Sequence, residues 1–351
     1  MVAVTALTLL VGTYTPQWGH TWVTESGGMV YALRSLPEGS LLCVGPAPQG
    51  DAPLRDAVPA ASRGAAGDAL QGAAHVITQD ALQYICECPT PGKHSCHITV
   101  LERQAVVCDY TSGSLSLFPL DSRGIPCGEV QTIVFEGHGP DRVRQSGAHI
   151  HSSWLSPDGL RIVVADLGAD RIIRFDVKDG CVDVDSRKDF ATPAGCGPRH
   201  CCFSPDGRFL YVATELSDEL LTYSWPSMQL LRRGTVNDAL PHGGGHVAMS
   251  PDGRFLYVSS RLKDDGLGIF RIAPDGLPEK VGYVRTGSHP RHFSISADGT
   301  TVAVACRDAG TESDGGAAGG AVEIFSRNPE DGMLEKRQSL DTGKPVFVSF
   351  R

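Results

Sequence analysis

Short apolar runs alternate with polar turns along most of the chain. The runs IVVAD, FLYVAT and FLYVSS are rich in β-branched and aromatic residues, and each follows a Ser-Pro-Asp-Gly segment. In such a segment proline presets φ, aspartate caps the turn and glycine takes the position with positive φ. Apolar runs of this length, bounded by turn residues, predict β-strands. Because nothing between them has the spacing of a long amphipathic helix, we predict an all-β fold.

The strand–turn–strand unit recurs at a nearly fixed interval. Its turn residues Pro157, Pro205, Pro251 and Ala297 lie 48, 46 and 46 positions apart, and a degenerate copy begins at Cys96. A period in this range, with about four strands in each copy, is typical of a propeller blade. Seven such periods account for the 351 residues, so we predict a single domain folded as a seven-bladed β-propeller.

The two ends of the chain are both strand-like, with LLVGTYT near the start and KPVFVSF near the end. We expect the N-terminal strand to join the last blade and close the ring, which removes exposed sheet edges. Two segments lack strand periodicity. Residues 46–72, rich in Pro, Gly and Ala, are predicted to form an irregular, disordered insertion, and residues 308–320 a flexible surface loop.

Charge and composition narrow the class of ligand. A net charge of −9 leaves no basic surplus for binding a nucleic-acid backbone, although a small anion needs only a few local cations. No segment approaches the roughly 20 apolar residues of a membrane span. The 11 cysteines occur without a secretory signal, so reduced thiols and a cytoplasmic location are expected. We expect a small-molecule partner, no nucleic-acid or membrane partner, and a monomer or homodimer.

Propeller geometry predicts where functional residues meet. The first strand of each blade enters, and the second leaves, on the same side of the central channel, so equivalent positions of successive blades converge on one mouth. Near the starts of first strands lie His151, Arg199, His246 and Arg291. At the ends of second strands lie Asp166, Glu215, Arg261 and Arg307.

The ordered motifs HSS…ADLGAD, GPRH…TEL and SSR resemble the seven-bladed propeller lactonases. That family includes bacterial 6-phosphogluconolactonases, and fungal carboxymuconate cyclases are its relatives. The resemblance is good over residues 96–307 and recognisable at both termini. It implies that the catalytic positions of the cyclases correspond to His151, Arg199, Glu215 and Arg261. Asp109 departs from the pattern, because relatives often carry asparagine there, and it adds negative charge near the predicted site.

Lactone hydrolysis needs a base to activate water, a cation for the oxyanion and an acid for the leaving alkoxide. Either Glu215 or His151 can be the base and the other the acid, while arginine suits the oxyanion or an anionic substrate group. The arginines for this purpose are Arg199 and Arg261. Further substrate-binding candidates are Arg291, His200, His246, Asp166 and Arg307. The resemblance implies hydrolysis of a sugar lactone such as 6-phosphogluconolactone, and no cofactor is predicted.

Other interpretations remain open. A carboxymuconate cyclase would use the same residues, and a non-catalytic propeller would use its faces to bind proteins. Arg199 and Glu215 can equally form an inter-blade salt bridge, and Asp166 can cap a turn. The segment CECPTPGKHSCH, from Cys86 to His97, contains zinc-type ligands without a standard zinc spacing, so no metal site is predicted.

Overall fold

The computed structural model describes residues 86–238, 243–308 and 319–350, together with the strand backbone of residues 9–14, 22–26, 29–34, 40–46, 74–76 and 82–85. These residues form 27 strands and no helix. The strands are arranged in seven antiparallel sheets. The all-β prediction is therefore confirmed. Over the same residues there is no apolar helix of membrane-spanning length.

Two sheets are built from the N-terminal strands. One contains β1 (Leu9–Tyr14) and β5 (Ala74–Val76) with the C-terminal strand β27 (Lys344–Phe350). The other contains β2 (Trp22–Ser26), β3 (Met29–Arg34), β4 (Ser40–Pro46) and β6 (Leu82–Pro89).

The other five sheets each consist of four consecutive strands. The first is β7 (Ser95–Val100), β8 (Gln104–Asp109), β9 (Ser114–Pro119) and β10 (Gln131–Val134). The second is β11 (Ile150–Leu155), β12 (Arg161–Asp166), β13 (Arg171–Lys178) and β14 (Cys181–Ala191). The third is β15 (Pro198–Phe203), β16 (Phe209–Thr214), β17 (Glu219–Ser224) and β18 (Leu230–Thr235). The fourth is β19 (Val247–Met249), β20 (Phe255–Ser260), β21 (Gly266–Ile272) and β22 (Pro278–Arg285). The fifth is β23 (Pro290–Ile295), β24 (Thr301–Cys306), β25 (Gly320–Arg327) and β26 (Leu334–Thr342).

The seven sheets are the blades of a closed ring. Contacts between inner strands run from β7 through β11, β15, β19, β23 and β27 to β2, and from β2 back to β7. Strand β1 pairs antiparallel with β27, with Val11 opposite Val348. This pairing is the one that the predicted closure of the ring requires. The predicted insertion at residues 46–72 lies outside the described residues apart from Pro46, as does most of the predicted loop at 308–320.

The core lies between the blades. The second strands β8, β16 and β20 are buried at every position, because a neighbouring blade covers each of their faces. The outermost strands β10 and β18 are mostly exposed. Tyrosine hydroxyls connect adjacent blades, since Tyr211 donates to the Gly276 carbonyl at 2.9 Å and Tyr257 to that of Gly332 at 2.7 Å. The motif FLYV is thus explained by packing.

A β-bulge occurs at the same point in four inner strands. The register between the first and second strand shifts by one residue in each of these blades, so that one residue has no direct partner. Such a bulge turns the extra side chain away from the regular alternation of the strand. The bulged residues are Cys96, His151, Arg199 and Arg291.

Candidate active site

A pocket of about 400 Å³ opens where these bulges meet the ends of the second strands. Three of its lining residues, Cys96, His151 and Arg291, are bulged residues. Three more directly follow second strands. These are Tyr110, Glu215 and Arg261. The wall is completed by His94, Thr111 and Arg144. Of the eight residues predicted to converge on one mouth, four line this pocket, namely His151, Glu215, Arg261 and Arg291.

Glu215 lies at the centre of an arginine cluster. Its Oε2 atom accepts hydrogen bonds from Arg199 Nε at 2.9 Å and Arg261 Nη2 at 3.1 Å. Its Oε1 atom accepts one from Arg144 Nη2. Burial opposes ionisation of Glu215, but the charges of Arg261 and Arg199 outweigh it and hold the pKa well below its usual range. Glu215 is therefore a carboxylate whose two oxygens are both already engaged.

Three consecutive glycines, residues 243–245, hold two of these arginines from behind. The Gly243 and Gly244 carbonyls accept from Arg261 Nε and Nη2 at 2.8 and 2.9 Å, and the Gly245 carbonyl accepts from Arg199 Nη1 at 2.7 Å. Glycine is required here because a Cβ on Gly244 would lie 2.0 Å from the Thr214 carbonyl oxygen. Arg199 and Arg261 are thereby fixed by backbone as well as by Glu215.

His151 is a buried, uncharged imidazole in the pocket wall. Burial, followed by the positive charge of Arg199, holds its pKa well below the ordinary value of 6.5. Its Nδ1 atom is enclosed and has no hydrogen-bond partner among the residues described. At neutral pH the imidazole is therefore unprotonated, which is the state that a general base requires.

Arg291 faces the pocket as a cation without a direct ion pair among the described residues, although the negative charge of Glu215 acts on it. Within the described part of the chain its guanidinium has no hydrogen bond or ion pair. Burial, followed by the charge of Arg261, lowers its pKa to about 10, so it stays charged at neutral pH. Its strand β23 is three blades from the β11 strand of His151. In a ring of seven, the two residues are on nearly opposite sides of the mouth.

Two predicted substrate-binding histidines, His200 and His246, lie behind the pocket wall. Their Nδ1 atoms are 2.8 Å apart, and the His246 ring lies 4.0 Å from that of His292. His200 directly follows the bulged Arg199, and both histidines are buried. The prediction treated His246 as equivalent to Arg199, whereas the equivalent residue, six positions before the turn proline, is Gly245. A shift of one residue reverses the direction of a strand side chain.

Asp166 and Arg307 are also outside the pocket wall. Asp166 is fully buried, and Oδ1 accepts from the His149, Gly168 and Ala169 amides at 2.9, 3.2 and 3.2 Å. It therefore caps the turn after β12, one residue before the position equivalent to Glu215. Arg307 is at the equivalent position but pairs with Asp308 at 2.9 and 3.0 Å. We therefore do not assign substrate contacts to either residue.

Asp109 does not line the pocket, but together with burial its negative charge raises the pKa of the Cys96 thiol in the pocket wall. Its carboxyl group is fully buried, and burial raises its pKa to about 6. It accepts hydrogen bonds from Ser95 at 2.5 Å, Ser116 at 2.6 Å and Ser114 at 3.4 Å.

The described residues contain no group of three or more side chains arranged to hold a metal ion.

Several pocket residues were not predicted from the sequence. Cys96 and Tyr110 belong to the degenerate copy of the repeat, and they correspond to Arg199 and Glu215 once the register is known. That correspondence was available in the sequence. Arg144 lies in the connection between β10 and β11, which has no repeated pattern, so no signal pointed to it. His94 and Thr111 bond to each other at 2.7 Å beside the pocket.

Known proteins resemble this chain in sequence and structure. Residues 65–350 match the family described as "Lactonase, 7-bladed beta-propeller". A 6-phosphogluconolactonase of Bacillus subtilis is 32% identical over 153 residues, which is 43% of each chain and so less than half of that protein. A 6-phosphogluconolactonase of Formosa agariphila is 31% identical over 262 residues, 70% of each chain.

A solved structure agrees over the full length. The crystal structure of a candidate 6-phosphogluconolactonase from Bacteroides fragilis has a TM-score of 0.80 and 25% identity, covering 100% of this chain and 99% of that one. The repeat, the ring of seven blades and the match over residues 65–350 lead to one assignment. The chain belongs to the seven-bladed β-propeller lactonase family.

Proposed function

We propose that the protein hydrolyses the lactone of an anionic sugar acid, with 6-phosphogluconolactone as the leading candidate. The observation that carries this proposal is the charge of the pocket. Three arginines bind one carboxylate and a fourth, Arg291, faces the same pocket, in a chain whose net charge is −9. Burial lowers the pKa of Arg199, but its bond to Glu215 and the intrinsic basicity of a guanidinium keep it protonated. The cluster comprises Arg144, Arg199, Arg261 and Arg291.

A cationic pocket of this kind favours a substrate that carries its own negative charge. Buried charges are costly unless they are paired. A phosphate dianion would compensate most of the excess, whereas an uncharged lactone would compensate none. Two relatives of this chain, from B. subtilis and F. agariphila, are named for a phosphorylated sugar lactone.

His151 and Arg291 are the residues suited to the chemical step. The oxygen of a water molecule bonds to the lactone carbonyl carbon while His151 takes one of its protons. Arg291, on the opposite side of the mouth, stabilises the oxyanion. The ring C–O bond then breaks as the carbonyl re-forms, and the His151 imidazolium returns the proton to the leaving alkoxide. One water is consumed and one hydroxy acid is formed.

Glu215 has a positioning role in this scheme. Because both carboxylate oxygens are engaged by arginines, it is a poor proton acceptor in the unliganded site. It holds Arg199 and Arg261 in place and keeps their charges compensated. We therefore assign both roles to His151, as base and then as acid, which differs from the two assignments left open by the sequence because both gave Glu215 one of these roles.

Cyclisation of a carboxymuconate is the second candidate function. The excess of arginine would suit several carboxylates as well as a phosphate. The two candidates differ in substrate, because the cyclase would form a lactone ring from an open polycarboxylate. A cytoplasmic location and a monomeric or homodimeric state remain predictions.

The test is to add purified protein to fresh 6-phosphogluconolactone and titrate the acid released above the buffer rate. We expect hydrolysis by the wild type, loss of the excess rate in His151→Ala, and full activity in a control with the exposed His138→Ala. Absence of excess acid with phosphorylated and unphosphorylated lactones would contradict the proposal. Turnover of a carboxymuconate, followed by its ultraviolet absorbance, would favour the cyclase. Inertness towards both would favour a protein-binding propeller.

A further inference from the structure

The three arginines bonded to Glu215 are anchored in different ways. Arg199 and Arg261 also donate to the carbonyls of residues 243–245, and their side chains are only 2% and 4% exposed. Arg144 is 40% exposed. Its only side-chain hydrogen bonds within the described residues go from Nη2 to Glu215 and to the Tyr110 hydroxyl, the latter at 3.4 Å. Arg144 is therefore held by side chains alone.

The backbone that carries Arg144 is well fixed. Asp141 Oδ1 accepts from the amides of Val143 and Arg144 at 2.9 and 3.0 Å. Gln145 is fully buried, and its side-chain amide donates to the Leu167 carbonyl at 2.9 Å. A fixed backbone with a loosely held guanidinium allows the side chain to change partner without movement of the loop. The loop therefore places the Arg144 guanidinium, which can move, at the mouth of the pocket.

Arg144 and Arg291 lie in different parts of the site, so the two arginines can contact different ends of one substrate. Arg291 lies in the wall opposite His151 and makes no hydrogen bond or ion pair among the described residues that a ligand would have to replace. Arg144 lies on a connecting loop and has Nη1 and Nε free of partners among the described residues. A guanidinium with unused donors can bind a phosphate or carboxylate through two parallel hydrogen bonds.

We propose that Arg144 is the specificity-determining residue that binds the anionic group of the substrate, leaving Glu215 Oε1 when it does so. Without substrate, the Glu215 carboxylate therefore occupies the position beside Arg144 that the substrate anion takes on binding. This inference rests on the proposed function. An uncharged lactone cannot draw Arg144 away, so it would be hydrolysed without this contact.

The test compares Arg144→Gln with a control, Arg142→Gln, which changes an exposed arginine of the same loop outside the pocket wall. Loss of a hydrogen bond to a charged group is worth about 1.5–3 kcal/mol, or roughly 10- to 150-fold. We expect Arg144→Gln to lower kcat/KM for 6-phosphogluconolactone by about that factor, mainly through KM. For unphosphorylated gluconolactone we expect a change below about threefold. Arg142→Gln should match the wild type with both.

Two outcomes would overturn this inference while leaving the proposed function intact. One is an equal loss of activity on both lactones, which would indicate a general structural role. The other is an unchanged preference for the phosphorylated lactone.

If the wild type hydrolyses neither lactone, the proposed function fails instead. Calorimetry with 6-phosphogluconate and gluconate then still tests Arg144, because the wild type should prefer the phosphorylated acid and Arg144→Gln should lose that preference. Retention of the preference, or its absence in the wild type, would refute the role.

Discussion

Arg199 and Arg291 occupy the same bulge in two blades of the ring, yet only Arg199 has a carboxylate partner. Arg199 Nε lies 2.9 Å from Glu215 Oε2, whereas Arg291 faces the pocket without an ion pair among the described residues. Equivalent backbone positions thus give one arginine a structural pairing and leave the other available for a ligand. The difference can be measured, because substituting glutamine for each arginine should change the stability of the protein by different amounts.

Arg199→Gln is expected to destabilise the fold, and Arg291→Gln to spare it. Removing one partner of a buried ion pair costs about 3–5 kcal/mol. Arg291→Gln should change the free energy of unfolding by less than about 1 kcal/mol, because no hydrogen bond or ion pair among the described residues is lost. It should still lower kcat/KM by about 100-fold or more, as loss of an oxyanion donor does. Urea unfolding and lactone hydrolysis measure the two effects, and equal destabilisation by both variants would contradict the assignment.

Gly244→Ala should disturb the arginine cluster. The added Cβ would lie 2.0 Å from the Thr214 carbonyl oxygen, so residues 243–245 must move and their carbonyls must leave Arg199 and Arg261. We expect a loss of stability above about 2 kcal/mol together with loss of activity. Gly147→Ala is the matched control, since nothing lies within 4 Å of a Cβ there. A Gly244→Ala protein with normal stability and activity would show that the glycines do not position the site.

The pH dependence of hydrolysis should lack the usual histidine limb. Burial and the charge of Arg199 hold the pKa of His151 well below 6.5, so the imidazole stays neutral as the pH falls through that value. An unperturbed histidine would lose about three quarters of its neutral form at pH 6. We expect kcat/KM for unphosphorylated gluconolactone, which has no phosphate that titrates near pH 6, to be level from pH 8 to pH 6 with folded protein, checked by circular dichroism. A limb with a midpoint near 6.5 would argue against a buried neutral His151 as base.

Stability should fall steeply on acidification. Six buried histidines have pKa values lowered by burial below the ordinary 6.5 that they recover on unfolding, and for His97, His289 and His292 the folded value is about 3. The unfolded chain therefore binds protons first as the pH drops below 6.5. Their stabilising contribution is full above that pH and is lost towards pH 3. The others in the set are His151, His200 and His246.

The expected size of this effect is large. Each such group lowers the free energy of unfolding by at most about 1.4 kcal/mol per pH unit below pH 6.5, and the contributions of the six have the same sign. Asp109, with a folded pKa raised to about 6, works in the opposite direction but is a single group. Urea midpoints between pH 7.5 and 5.5 would measure the slope. His138→Gln, at an exposed site, should leave it unchanged, and a flat midpoint would refute the buried-histidine interpretation.

The fold could be predicted because its signal is repeated. Each copy places a Ser-Pro-Asp-Gly turn before a strand that is buried on both faces, so the same packing requirement leaves the same pattern several times. The register was harder, since an error of one residue is invisible in an apolar run. An error of this size placed His246 in the predicted site, where the equivalent residue is Gly245. It likewise placed Asp166 there, where the equivalent residue is Leu167. The hydrogen-bond pairing of the strands was needed to correct it.

Arg144 shows the limit of inference from sequence. It lies in a connection whose path is set by tertiary contacts such as the Gln145 side chain on the Leu167 carbonyl. No period or motif relates it to Glu215, 71 positions away. The predicted residues His151, Glu215, Arg261 and Arg291 did meet in one pocket, because blade geometry alone brings them there.

The side chain at the recurring bulge can differ between blades, while the turns and strands of the blades stay the same. At the equivalent position, which is bulged in four of these five blades, successive blades carry a thiol, an imidazole, a guanidinium, a bare glycine and a second guanidinium. The turns, the buried second strands and the tyrosine links between blades do not depend on which of these is present. A new substrate preference can therefore arise by substitution at one blade, while the other six blades preserve the architecture. The residues in question are Cys96, His151, Arg199, Gly245 and Arg291.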